Sequence, residues 1–167
     1  MGDSMSEIAT PPPSQFAAAS FHVPERIAAH RLSLQGDLLH VEVMGNLDRE
    51  VIEEILAVYQ RCIEHFGYLL VLMGVQHSTG MDQQARRRAV EWGQDHPTVQ
   101  SAAVYGAPLA VRAMMSLLHR ATQLLSKQDA AHMTFVATEA EGRQWLDAQR
   151  ARLAAAAQAK RAARSTS

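Results

Sequence analysis

The chain has little of what fixes a function on sight. Among its 167 residues there is one cysteine, Cys62, so neither a disulfide framework nor a cysteine-built zinc site can form within it. A charge excess is missing too. Sixteen Lys and Arg against 17 Asp and Glu leave a formal net charge of -1, whereas a general nucleic-acid binder carries a strong basic surplus. No apolar run approaches the roughly 18 residues of a membrane span, and no charged leader precedes a long apolar core. The chain therefore reads as a cytoplasmic protein that neither spans a membrane nor binds nucleic acid. A Walker loop and a G-x-G-x-x-G are absent, which removes the usual nucleotide motifs. The eight histidines include no pair at i, i+4, the spacing of a helical metal site. Neither a cofactor nor a metal is expected.

What is present is a foldable core. With 47% hydrophobic and 20% charged residues, a chain of this length forms one domain that buries roughly two thirds of its unfolded surface. The opening residues, with Pro11, Pro12 and Pro13 among Ser, Gln and Ala, bury too little to offset their ordering entropy. Residues 1–25 read as a flexible lead, 26–153 as the domain and 154–167 as a basic, Ala-rich tail. The tail's few cations, Lys160, Arg161 and Arg164, read as a solubilising end.

The domain is organised around Tyr68 to Gly80. The unbroken apolar run Leu69 to Met73, bounded by Gly74, suits a strand buried on both faces, as parallel sheets under helices require. A polar turn, Gln76 to Gly80, then leads into a helix over Asp82 to about Asp95, with Thr79 as its expected cap. In open α/β sheets ligands and partners bind outside the carboxyl end of such a strand, which puts Ser78 and Thr79 at the functional address.

On either side of this stretch the pattern repeats. Arg31 to Leu34 and Leu38 to Val43 flank Gln35, Gly36 and Asp37, a hairpin signature. Leu38, His40 and Glu42 alternate with Leu39, Val41 and Val43, which reads as a half-exposed strand near the sheet edge. Asp48 to Phe66 has one apolar stripe, with Asp48 as N-cap, Leu47 stapled to Ile52 and Gly67 as the stop. Strands follow over Val99 to Gly106 and Met133 to Ala137. Between them a helix starts at Leu109 behind Pro108 and runs to Lys127. The last helix opens on the capping pair Thr138 and Glu141 and buries Trp145, Leu146 and Leu153. The expected class is α/β: a single domain with a mixed, mostly parallel sheet of about five strands and about four helices.

Two short segments carry a family resemblance. Gly45-Asn46-Leu47-Asp48, after the hairpin, is similar to the G-x-L-D that opens the first helix of STAS domains. Ser78-Thr79-Gly80 lies where that superfamily places its functional turn. With the element order, these make residues 26–153 resemble the STAS superfamily, in particular its SpoIIAA-like, STAS/SEC14 branch. The resemblance implies a non-enzymatic regulatory or signalling module that binds a protein partner. It also implies a switch, because Ser78 aligns with a serine that a kinase phosphorylates in the anti-sigma-factor antagonists. The chain departs from the D-S-[SG]-[GA] turn of those proteins, with His77 standing in place of the acidic residue.

Several readings compete at these residues. His77, Ser78, Thr79 and Arg86 form the phosphorylation or anion-binding candidate, since phosphate there would lie beside Arg86, Arg87 and Arg88 and a helix amino end. Simple helix capping is the plainer reading. A serine hydrolase would need Ser78 with His77, His96 or His132 and an aspartate such as Asp95 or Asp129, but Gln76 breaks the G-x-S-x-G elbow and no spacing fixes a triad. Val111, Met115 and Leu118 make a second apolar row on the third helix, which suits either a homodimer face or a SEC14-like pocket for a lipid or other apolar ligand.

Overall fold

The computed structural model describes residues 21–96, 100–109 and 132–165. Its elements in chain order are β1 (Arg26–Ile27), β2 (His30–Gln35), β3 (Leu38–Leu47), α1 (Arg49–Phe66), β4 (Leu69–Met81), α2 (Gln83–Asp95), β5 (Gln100–Tyr105), β6 (His132–Phe135) and α3 (Glu139–Ser165). The strands form one six-stranded sheet in the order β1-β2-β3-β4-β5-β6. The first three run antiparallel and β3 to β6 parallel. This is the mixed α/β sheet the sequence leads one to expect, with β1 as a sixth strand. At two residues β1 is too short to show the alternation by which strands are read. The helix expected over Leu109 to Lys127, with Val111, Met115 and Leu118, lies outside the described residues from position 110 onward.

The sheet is covered on both faces. Leu39, Val41, Val43 and Val71 meet Ile52, Ile55, Leu56 and Tyr59 of α1, with Ala85 and Trp92 of α2 completing that cluster. On the other face Leu38, Leu70, Leu72, Ala103 and Tyr105 meet Leu146 and Leu153 of α3. Leu69, Leu70, Val71 and Leu72 are all within 2% of full burial, so the continuous apolar run of β4 serves both layers at once. Gly142 lets α3 come down onto the sheet, since a Cβ there would stand 2.7 Å from Leu72 Cδ1.

The end of α1 is set by local chemistry. Asp48 accepts from the Val51 amide at 2.9 Å, and Gly67, at φ 85°, donates its N–H to the Ile63 carbonyl, a left-handed stop that glycine adopts without strain. The capping pair of α3 also forms. Thr138 Oγ1 accepts from the Glu141 amide, while the Glu141 carboxylate accepts from Ala137 N, one residue before the usual position.

Three expectations are corrected. β3 is not near an edge: it pairs with β2 and β4. His40 is accordingly buried, with Nε2 2.9 Å from the Tyr105 hydroxyl. The antiparallel pair β1–β2 supplies the edge instead. Residues 21–25 belong to the fold rather than to a lead, because Val23 is in the core and Phe21 stacks on His65 at 4.5 Å. Finally, the basic, Ala-rich stretch beyond Leu153 is not a separate tail: the last helix continues through it to Ser165, as its alanines favour.

Candidate functional site

Among the described residues, only β3 and β4 extend the parallel sheet at its carboxyl end. β5 accompanies β4 as far as Gly74, opposite Tyr105. Beyond that point β4 keeps its pairing with β3: Met44 faces His77, Gly45 faces Ser78, Asn46 faces Gly80 and Leu47 faces Met81. Two register shifts interrupt this ladder, between Glu42 and Met44 and between Gly45 and Asn46. Such bulges increase twist and re-aim side chains. The result is a two-stranded ribbon carrying His77, Ser78 and Thr79 past the body of the sheet.

Its geometry overturns the expected turn. Residues 76–80 are strand, and Thr79 does not cap α2. Asp82 does, accepting from the Ala85 amide at 2.7 Å while its own amide donates to the Leu47 carbonyl at 3.0 Å. The physical reason is that Asp is a better N-cap than Thr, and residues 45–47 continue the ladder that residues 78–81 need.

His77 and Thr79 are exposed and Ser78 is half-buried. Ser78 Oγ accepts from the Gly80 amide at 3.2 Å, a local bond that ties down the hydroxyl. Gly80 has φ 141°, a conformation that favours glycine. Arg86 reaches back from α2, its Nη2 donating to the Met81 carbonyl at 3.5 Å. Arg88 is occupied elsewhere, bonding Glu53 of α1 at 2.9 Å. The Asp82 carboxylate occupies the Ala85 amide at the amino end of α2.

The hydrolase grouping does not assemble among the described residues. Ser78 has no hydrogen bond to a histidine. His96 Nδ1 lies 2.9 Å from the Trp92 carbonyl, with its ring stacked on Trp92 at 4.2 Å. His132 stands on β6, two strands from β4, and Asp129 lies outside the described residues. No cluster of three or more His, Cys, Asp or Glu that could hold a metal occurs among the described residues, and no described helix is long and apolar enough to cross a membrane.

Polar groups that local patterns did not reveal lie inside the fold. His30 is 2% exposed and its Nδ1 accepts from the Met44 amide at 3.1 Å, at the first bulge of the ribbon. Burial lowers the pKa of His30, with Asp48 opposing. Burial likewise lowers that of His40, against Glu139 and Glu42. Asp37, in the β2–β3 turn, accepts from the Tyr68 hydroxyl at 2.6 Å and from Arg150 Nε at 2.9 Å. Burial alone would raise the Asp37 pKa, but the bonds from Arg150 and Tyr68 outweigh it and hold the carboxyl below its ordinary value. Partners such as His40 and Tyr105 are 65 positions apart, so no sequence window contains both.

No family model matches the chain, and no curated protein matches it. Solved structures do. An uncharacterised protein of the DUF3478 family from Shewanella loihica, with a SpoIIAA-like fold, matches at TM-score 0.51 and 16% identity, over 71% of this chain and 92% of that one. The anti-sigma factor antagonist SpoIIAA in its unphosphorylated form matches at TM-score 0.47 and 14% identity, over 71% and 98%. At such identities the first likeness establishes the fold.

Proposed function

We propose that this SpoIIAA-like domain is a non-enzymatic regulatory module that binds a protein partner at the carboxyl end of its sheet, with Ser78 or Thr79 as a modifiable position. One observation carries the reading: beyond Gly74 the β3–β4 ribbon continues without β5, with His77 and Thr79 exposed on it and Arg86 and Arg87 exposed on the helix that follows. The resemblance of Gly45-Asn46-Leu47-Asp48 and Ser78-Thr79-Gly80 to STAS segments supports it. A phosphoryl group at Ser78 adds close to two negative charges, displaces the local bond to Gly80 and recruits Arg86. Either effect changes the surface a partner meets.

The test is recovery of partners from the native host by the tagged wild-type chain, Ser78→Asp and Ser78→Ala. Partners lost or gained with Ser78→Asp and kept with Ser78→Ala support a phosphate-type switch. Identical recoveries for all three chains remove it.

A further inference from the structure

The helix α3 packs on β4 and β5 and reaches Leu38 and Gln35 at the turn end of β2 and β3, while Arg26, Arg31 and Ser33 stay exposed on that face. At the β1–β2 edge the surface holds a groove of ≈ 630 Å³ whose lining includes Arg26, Arg31, Ser33, His40 and Glu42 of that face, together with Phe21 and Leu34, which pack on the α1 side of the sheet. Its size falls in the range of small-molecule sites.

The register aims the polar groups together. Arg26 stands directly opposite Arg31, and Ser33 opposite His40, so each pair shares one side of the sheet. Like charges placed opposite one another are unfavourable. Glu42 offsets Arg31 only loosely, at 3.9 Å with the arginine side chain 60% exposed. Arg26 has no ion pair among the described residues, and Glu25, also in the lining, pairs with neither arginine.

His40 adds a second, independent indication. It is 9% exposed, and its Nε2 is taken by Tyr105. Its Nδ1 has no partner among the described residues, yet the one unpartnered side-chain polar atom fully closed off from solvent there is the Tyr59 hydroxyl. His40 is one of the residues that line the groove.

Two guanidinium groups and a hydroxyl on one side of the sheet match the charge and the three terminal oxygens of a dianionic phosphate. We infer that this groove binds a small organic phosphate, its phosphoryl group between Arg26 and Arg31 and its organic part at the β1–β2 edge of the sheet.

Titration of the full ¹⁵N-labelled chain with phenyl phosphate, read by amide shifts, tests this. Saturable shifts at Arg26, Arg31 and Ser33 are expected, with weaker binding of inorganic phosphate and of benzoate. Arg26→Ala weakens phenyl phosphate by about tenfold or more, the loss of one charge-assisted bond. Ser33→Ala weakens it less and keeps the test open should Arg26→Ala fail to fold. Shifts confined to other residues, unchanged affinity in both variants, or sedimentation with phosphatidic acid vesicles without phenyl phosphate binding would each overturn the assignment.

Discussion

Replacing Tyr59 with phenylalanine removes one oxygen from the middle of the α1–α2 layer. That hydroxyl is buried and has no hydrogen-bond partner among the described residues, and burial raises its pKa far above the ordinary tyrosine value, so it stays protonated. An unsatisfied buried hydroxyl costs about 1–3 kcal/mol. The void left behind is about the size of one oxygen, ~10 Å³, and costs roughly 0.2 kcal/mol at the usual cavity coefficient. The ring keeps its edge contact with Trp92, 5.7 Å away. Relief of the stranded hydroxyl therefore wins, and Tyr59→Phe stabilises the fold by about 1 kcal/mol, equivalent to a Tm rise of about 3 °C for a domain of this size. Urea unfolding followed by fluorescence reads this as a higher midpoint with an unchanged slope. A midpoint lowered by the equivalent of about 1 kcal/mol refutes the reasoning, because it means the hydroxyl is paired in solution.

Other consequences follow from the same packing. His30 and His40 both have native pKa values below the ordinary histidine value through burial, so the unfolded chain binds more protons at mildly acid pH. Stability is then fully present above about pH 6.5 and falls as pH drops below it; a urea midpoint that rises between pH 7 and 5.5 contradicts this. Gly74→Ala places a Cβ 2.6 Å from the Tyr105 hydroxyl, which displaces the ring and its bond to His40 and costs about 1–3 kcal/mol in urea unfolding; a neutral substitution would show that this side of the sheet is loosely packed. Burial pushes the Cys62 thiol up to about 11, so Ellman's reagent at pH 8 labels it in urea and not in the native chain; rapid native labelling contradicts the burial.

The elements set by near neighbours could be read from the chain. The apolar run Leu69 to Met73, the Asp48 and Gly67 ends of α1 and the Thr138–Glu141 pair each depend on residues a few positions apart, and each forms. What depended on distant partners was read differently. His40 looked like half of an exposed alternation because its bonding partner, Tyr105, lies on β5, 65 positions away. The address of Ser78 at the carboxyl end of β4 was legible, but its surroundings were not. Gln76 to Gly80 reads as a polar turn until residues 44–47 arrive to pair with residues 77–81, and Asp82 outcompetes Thr79 for the cap only once that ladder fixes the start of α2.

The measurement that bears most directly on the account is site-specific crosslinking in the native host, with a photoreactive residue placed at Thr79 on the ribbon or at Gln144 on the exposed side of α3. A discrete adduct from position 79 that is lost in the Ser78→Asp background, and absent from position 144, is the expected result. Adducts from position 144 alone, or none from position 79, would contradict the ribbon as the recognition surface.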